Sequence, residues 1–354
     1  MKILAINLGS TSTKLAVYEG ETEIWRTNIH HPTKELEPFH HAVEQFEYRE
    51  THIREALRAS GLDLHFDAVV GRGGLLKPTP GGVYLVDEKL KEDSWNAKME
   101  HVCNLAAGIA DDIAKAVGCT AYIADPPVTD ELRDEARLSG LPQLPRYPMF
   151  HALNSRAMSR KYAKSIGRNY EDLNLIVVHL GGGISVSAHQ YGKVVDVNNA
   201  VNGEGPFSPE RAGTLPARQL VDLCYSGKYA WNEVRKMLNG KGGLVAHLGT
   251  TDVKHVVEEI QVGNTHYESV LKAMFYTVGK QIGSMHVALE CNTDAILLTG
   301  GIAYNDYCVG LIRQWVEKIA PVAVLPGEDE MGALAMNARG ALEGTLPIQH
   351  YKGE

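Results

Sequence analysis

The sequence has little of what marks secreted, membrane-spanning or nucleic-acid-binding proteins. It has only five cysteines, and no two of them form a C-x-x-C pair, so a reduced, cytosolic setting is favoured over a disulfide framework. No run of residues approaches the roughly 20 apolar positions of a membrane span. Acidic side chains outnumber basic ones by 43 to 35, which argues against nucleic acid as the main partner.

What remains is an ordinary globular composition, with 44% hydrophobic and 22% charged residues. A chain of 354 residues is longer than one typical core fills, so two domains are expected. The start of the chain, MKILAINLGS, is apolar but short, and Asn7 interrupts it, so it predicts a first strand and not a signal peptide. We therefore expect a cytoplasmic protein without a membrane partner.

One unusual segment occurs twice, at residues 3–20 and 175–193. Each copy begins with an apolar strand, breaks at one polar residue (Asn7 or His179), continues through Leu-Gly and small residues, and resumes a strand that ends at a glycine. Glycine and serine leave room for backbone N–H groups to approach a phosphate. The repeat predicts two similar halves facing each other across a cleft, which is typical of a nucleotide phosphotransferase.

The two copies differ in composition, and a third glycine turn follows later in the chain. The first copy, NLGSTSTK, predicts phosphate binding by Asn7, Gly9, Ser10, Ser12 and Lys14, with a polar hairpin as the alternative. In HLGGGIS three successive glycines are costly within a strand unless the backbone approaches a ligand; they are Gly181, Gly182 and Gly183. The third turn, TGGIAYN, predicts a seat for adenosine at Gly300, Gly301 and Asn305, although tight strand-to-helix connections are common.

Further candidate side chains lie in other segments of the sequence. Arg72 ends a strand in GRGG and Arg211 lies in a long irregular loop; arginine suits bidentate recognition of carboxylate or phosphate, although most arginines are solvated surface groups. Asp125 ends the strand TAYIADP, where two prolines constrain the following backbone. His179 could donate a hydrogen bond to a transferring phosphoryl group, or be an ordinary core histidine.

Metal ligation is predicted from carboxylates and not from histidines. Glu330 lies at a predicted helix start, where it could hold Mg²⁺ or act as a cap. The pairs at residues 30–31 and 40–41 are expected to be solvated, because no cysteine or carboxylate spacing supports zinc there.

Together these segments resemble the acetate kinase family over nearly the whole chain. The matching blocks, in order, are INLGSTSTKLAVYEG, VVGRGGLLKPTPGGVY, ADPPVTDE, YPMFHALNSRA, VVHLGGGISVSAHQYGKVVDVNNAVNGEGPFSPERAGTLP and LLTGGIAYN. The resemblance implies an α/β fold of two duplicated actin-like ATPase (ribonuclease H-like) domains around a nucleotide cleft. The predicted domains are residues 1–148 with about 333–354, which carry the first phosphate segment, and residues 149–332, which carry the second phosphate segment and the adenosine segment.

The resemblance also implies a reaction, in which ATP phosphorylates a short-chain carboxylate to give ADP and an acyl phosphate. The catalytic positions of the family are matched by Arg72, Asp125, His179 and Arg211. Asn7 and Glu330 match residues associated with Mg²⁺, with Asp329 as a one-residue alternative to Glu330. Departures from acetate kinases, such as ADPPVTDE and GGGIS, favour the butyrate-using branch, with isobutyrate and other branched acids also in play. A homodimer or higher homo-oligomer is the family expectation.

The chemistry suits these residue types. A carboxylate substrate is ionised near pH 7 and needs no general base, so catalysis should consist of charge neutralisation and in-line positioning. Three alternatives stay open on the sequence: an acetate or propionate kinase, an actin-like or chaperone-like ATPase, and a sugar kinase in which Asp125 would be the base.

Overall fold

The computed structural model describes residues 1–353, and the chain divides into two compact units. The first unit contains residues 1–130, 152–154 and the chain from Asp329 onward. The second contains residues 131–151 and 155–328. Each unit has its own sheet and its own hydrophobic core.

The strands of the first unit are β1 (Lys2–Leu8), β2 (Ser12–Glu19), β3 (Thr22–His30), β4 (Ala68–Arg72), β5 (Val83–Leu85), β6 (Thr120–Ala124) and β12 (Ile348–Gln349). Those of the second unit are β7 (Asn174–Leu180), β8 (Ile184–Gln190), β9 (Lys193–Val197), β10 (Ala295–Thr299) and β11 (Val322–Val324).

The α-helices are α1 (Thr33–Leu36), α2 (Phe46–Ala59), α3 (Glu88–Trp95), α4 (Ala106–Val117), α5 (Asp134–Arg137), α6 (Ala152–Ser165), α7 (Ala217–Cys224), α8 (Trp231–Leu238), α9 (Gly243–Leu248), α10 (Val253–Gln261), α11 (Thr265–Ala288), α12 (Asp306–Val316) and α13 (Glu330–Leu342). Short 3₁₀ turns occur at Ala42–Gln45, Val102–Leu105, Tyr170–Asp172 and Gly301–Tyr304.

The two sheets repeat one arrangement, as the duplicated segment predicts. The first has the order β12-β5-β6-β4-β1-β2-β3 and the second β11-β10-β7-β8-β9. In each, the first strand of the repeat (β1 or β7) pairs antiparallel with the next strand and parallel with a later one (β4 or β10). Gly20 and Gly192, with φ of +62° and +83°, turn each hairpin into its third strand. Both sheets are mixed: the hairpins β1–β2–β3 and β7–β8–β9 are antiparallel, as is the pair β5–β6, and the remaining neighbours are parallel.

Helices cover these sheets with the faces that their sequences predict. In α4 the small and branched residues Ala106, Ile109, Ala110 and Ile113 are buried against β4 and β6, and Gly118 ends the helix with φ of +76°. In the first unit α13 packs on β1, so the last helix lies with the first strand. In the second unit the long helix α11 packs on β7 and β8.

The predicted domain boundaries differ from the units at residues 131–148 and, over a few residues each, at 152–154 and 329–332. Residues 131–148, predicted as part of the first domain, belong to the second unit. Backbone and side-chain bonds explain this: Arg133 N–H donates to the Val195 carbonyl at 3.0 Å. The Arg146 guanidinium donates to Asp196 Oδ1 at 3.1 Å and to the Val197 carbonyl at 3.0 Å. These bonds hold residues 131–148 against β9.

The absence of a membrane span and the exposure of the paired histidines were also expected from the sequence. Between residues 1 and 353 no helix combines the length and the apolar character that crossing a bilayer requires. The expectation that His31 is solvated is wrong, because its side chain is fully buried and lies 2.8 Å, through Nε2, from Thr13 Oγ1. His30, His40 and His41 are exposed, as expected.

Candidate active site

The first glycine turn joins β1 to β2 in the first unit. Gly9 N–H donates to the Ser12 carbonyl at 2.8 Å and closes the turn. Asn7 and Lys14 are directly opposed in the antiparallel register, so their side chains emerge on one face of the sheet. Asn7 is buried and Lys14 is exposed. Ser10 is also exposed, and its Oγ lies 3.4 Å from His101 Nε2. The hairpin thus combines an anchored amide with an accessible hydroxyl and amine.

A carboxylate joins this hairpin to the end of β4. Asn7 Nδ2 donates to Glu330 Oε2 at 2.6 Å. Arg72 Nη1 contacts the other oxygen, Glu330 Oε1, at 2.8 Å. Asp329 faces elsewhere: its side chain accepts from Gly332 N–H at 2.9 Å and caps α13. Of the two adjacent acids, Glu330 is therefore the one that lies with Asn7 and Arg72.

Glu330 and Asn7 present oxygen donors, which suit a hard divalent cation. Within residues 1–353 no group of three or more His, Cys, Asp or Glu side chains converges as a ready-made metal cage. That donor set fits Mg²⁺, because Mg²⁺ is usually held by one or two carboxylates together with water and substrate phosphates.

Asp125 lies at the end of β6 in a conformation that few non-glycine residues adopt. Its φ is +40° and its side chain is buried. Oδ1 accepts from Gly82 N–H at 2.8 Å, and Oδ2 accepts from Asn337 Nδ2 at 3.3 Å. The carboxylate therefore connects three segments of the first unit, and its predicted part in catalysis stays a prediction.

In the second unit His179 is the last residue but one of β7, the position that Asn7 has in β1. Its imidazole is buried, and Nε2 lies 3.0 Å from Glu328 Oε1. The ring of His151 stacks on it, with centroids 3.7 Å apart and planes within 10° of parallel. His151 Nδ1 in turn lies 3.1 Å from Ser185 Oγ. Sequence reasoning missed His151, whose only signal was its position in the block YPMFHALNSRA.

The three glycines after His179 make room for the protein's own side chains. A Cβ at Gly181 would lie 3.2 Å from His179 Nε2, and one at Gly182 would lie 3.2 Å from Glu210 Oε1. A Cβ at Gly183 would overlap the guanidinium of Arg211. The contacts at Gly181 and Gly182 would be tight, whereas at Gly183 any side chain would displace a predicted catalytic residue.

Arg211 lies in the irregular loop that follows β9, and only part of its guanidinium is bonded. Nη1 donates to the Ala200 carbonyl at 2.6 Å. Nε is buried, and within residues 1–353 it has no hydrogen-bond acceptor. Burial lowers the pKa of Arg211 from its usual value. The side chain is thus held at one nitrogen and retains donors for an anion.

The third glycine turn borders a cavity of about 620 Å³ in the second unit. Gly300 has φ of +88°, and a Cβ there would overlap the backbone of Leu180. Asn305 caps α12 by accepting from Cys308 N–H at 3.1 Å. The cavity is lined in part by Gly181, Gly182, Gly301, Asn305, Glu328 and Lys254. Its volume is within the range of pockets that bind small ligands.

The structure thus brings together, in the first unit, Asn7, Arg72 and Glu330. In the second unit it brings His179 and Arg211 to the glycines at 181–183, with Gly301 and Asn305 at the cavity. Their assigned roles stay predictions.

The duplicated strand arrangement defines an α/β protein of the actin-like ATPase fold. Porphyromonas gingivalis acetate kinase has the same fold, with a TM-score of 0.79 at 18% identity over 96% of this chain and 99% of that one. The model of the acetokinase family matches residues 143–322. A protein of Phocaeicola vulgatus described as a probable butyrate kinase is 58% identical over the whole of both chains. Butyrate kinase 2 of Clostridium acetobutylicum is 49% identical over 99% of each. The chain belongs to the acetokinase family.

Proposed function

We propose that this protein transfers the γ-phosphoryl group of ATP reversibly to butyrate, giving ADP and butyryl phosphate. The observation that carries the proposal is the similarity to butyrate kinases over the full length of the chain, at 58% and 49% identity. Acetokinase family membership supports a carboxyl group as the phosphoryl acceptor. Butyrate is preferred over acetate in this proposal because the relatives named for butyrate are 58% and 49% identical to the chain, whereas the acetate kinase is 18% identical.

The side chains at the two glycine hairpins support direct in-line transfer. The acceptor is already an anion at neutral pH, so its obstacle is repulsion by the phosphates of ATP and not a missing base. Arg72 would bind the carboxylate or the transferring group in the first unit. Arg211 and His179 would donate hydrogen bonds to the developing charge in the second. Arg211 suits this part because its buried Nε has no acceptor among residues 1–353.

Mg²⁺ is the expected metal, with Glu330 and Asn7 as the residues that would hold it, directly or through water. When bound, it supplies positive charge to the phosphates of the nucleotide. Arg72 contacts the same carboxylate at 2.8 Å and would keep Glu330 oriented. Asp125 would act by fixing the backbone at the end of β6, or by contact with the substrate as the family resemblance implies.

Each unit has a candidate region for part of the nucleotide. The cavity would take adenosine against Gly301 and Asn305, and the hairpin amides and hydroxyls at Ser10 and Ser12 would meet phosphates. Lys14 emerges on the face of Asn7 and would add positive charge there.

The test is an acyl-phosphate assay with hydroxylamine, run in parallel on acetate, propionate, butyrate and isobutyrate with MgATP. We expect the highest kcat/KM with butyrate or isobutyrate and the lowest with acetate. A clear preference for acetate or propionate would replace the butyrate assignment but keep the carboxylate kinase. No hydroxamate from any of the four acids would overturn the proposed function.

A further inference from the structure

Arg49 is a buried arginine to which the sequence analysis assigns no role, and its side chain contacts the turn of the first glycine hairpin. Arg49 is in α2, and its side chain is fully buried. Its guanidinium donates to three backbone carbonyls of the turn, Gly9 at 2.9 Å, Ser10 at 2.7 Å and Ser12 at 3.4 Å. It also reaches Thr13 Oγ1 at 3.2 Å. One side chain thus contacts several residues of the hairpin.

These bonds fix the direction in which the turn presents its N–H groups. In a planar trans peptide the C=O and N–H point in opposite directions. Because the carbonyls of Gly9 and Ser10 point at Arg49, the N–H groups of Ser10 and Thr11 point away from it. Neither N–H has a hydrogen-bond acceptor within residues 1–353, and both residues are exposed. Two accessible amide donors therefore lie side by side on the outer face of the turn.

The charge of Arg49 is not balanced by a carboxylate. Its Nε donates to the neutral Gln45 Oε1 at 2.9 Å, and within residues 1–353 no acid forms an ion pair with the guanidinium. Burial lowers the pKa of Arg49 to about 10, so the group remains charged at neutral pH. A buried, unpaired cation is costly for folding, so an anion bound nearby would compensate for that cost.

We propose that Arg49 is a positioning residue for the nucleotide: it orients the Ser10 and Thr11 amides toward a phosphate group and supplies positive charge behind them. The inference rests on the proposed function, since it takes the phosphate to be that of ATP or ADP. Arg49 touches the turn and not the ligand. Burial, then Arg72 and then Arg49 lower the pKa of His101, which lies beside Ser10, so the charge of Arg49 is felt on the ligand side of the turn.

The test compares ADP with adenosine, which lacks the phosphates, by calorimetry on the full chain. Arg49→Met should weaken MgADP binding by about tenfold or more, because oriented donors to a charged phosphate are lost, and leave adenosine binding within about twofold. Arg49→Lys keeps the charge but not the planar set of guanidinium donors, so its affinity for MgADP should lie between those of wild type and Arg49→Met. Arg58→Met, at an exposed position of the same helix, is the matched control and should change neither.

Equal weakening of ADP and adenosine would reduce Arg49 to a structural residue, and unchanged ADP binding would overturn the proposal outright. If Arg49→Met does not fold, Arg49→Lys decides: ADP affinity within about twofold of wild type would refute the inference. The kinetic counterpart is a raised KM for ATP with an unchanged KM for butyrate. If the wild-type protein made no acyl phosphate yet Arg49→Met weakened the binding of ADP and not of adenosine, the proposed function would fail and the role of Arg49 would stand.

Discussion

Replacing Gly183 with alanine should disable catalysis while leaving the fold intact, because of one steric overlap. A Cβ at this position would overlap Nη1 and Cζ of Arg211 and lie 3.0 Å from its Nε. Relief of that overlap requires the guanidinium to retreat by more than about 1 Å. The 2.6 Å bond from Nη1 to the Ala200 carbonyl would then lengthen or break. The backbone of Gly183 does not need a positive φ, so alanine adds no strain of its own.

The expected size of the effect follows from the role given to Arg211. Removing one donor to a transition-state charge costs about 10²–10³ in kcat, or about 2.7–4 kcal/mol. Gly183→Ala should approach that loss in a coupled assay of ADP formation with butyrate. Gly310→Ala is the control for an added methyl group, since a Cβ there meets nothing within 4 Å. It should retain full activity.

A double-mutant cycle shows whether the effect of Gly183 passes through Arg211. Once Arg211 is replaced by alanine the overlap no longer exists, so Gly183→Ala should cost little more in that background. Near-normal activity of Gly183→Ala would refute the reasoning. So would a further hundredfold loss when it is added to Arg211→Ala.

Three other predictions concern the first unit. Asp125→Ala should lower the free energy of unfolding by about 1–3 kcal/mol, because Gly82 N–H loses its acceptor, whereas Asp125→Asn keeps an acceptor and tolerates the positive φ; chemical denaturation would show equal losses if this is incorrect. Glu330→Gln should raise the Mg²⁺ concentration for half-maximal rate by about tenfold or more, and an unchanged Mg²⁺ titration would exclude Glu330 from metal binding. Burial lowers the pKa of His31 to about 4, so from pH 6.5 downward the unfolded chain binds a proton that the folded one does not, and stability falls as the pH falls. Between pH 7 and 4.5, His31→Gln should lose about 1–2 kcal/mol less stability than wild type in urea melts, and parallel pH profiles would contradict this assignment.

The sequence was most informative where a residue type has one physical reason to be present. Three adjacent glycines in a strand pattern predicted the close approach of a ligand to the backbone, and ligand binding at Gly181, Gly182 and Gly183 stays a prediction. It is the protein's own side chains that approach, however, and a glycine pattern alone does not tell a ligand from a neighbouring arginine. The repeated strand segment predicted the duplicated sheets, because the pattern of apolar residues along a strand is local and periodic.

Residues whose role depends on long-range packing could not be assigned in this way. Glu330 and Asp329 are adjacent, and only the phase of α13 shows that one reaches Asn7 while the other caps the helix. Arg49 lies among many charged residues of an ordinary helical pattern, so nothing local marks it as buried. His31 was expected to be exposed, like its neighbour His30. His30 is the last residue of β3 and points outward, whereas His31 follows the strand and contacts Thr13.

Phosphoryl transfer from ATP to butyrate is tested by measuring ADP and butyryl phosphate in the same reaction, with and without butyrate. Phosphorus NMR resolves both products from ATP. We expect equal amounts of ADP and acyl phosphate, formed only when butyrate is present. Arg211→Ala should lose both products. ADP formed at the same rate without butyrate, with inorganic phosphate as the other product, would identify an ATPase and contradict the account.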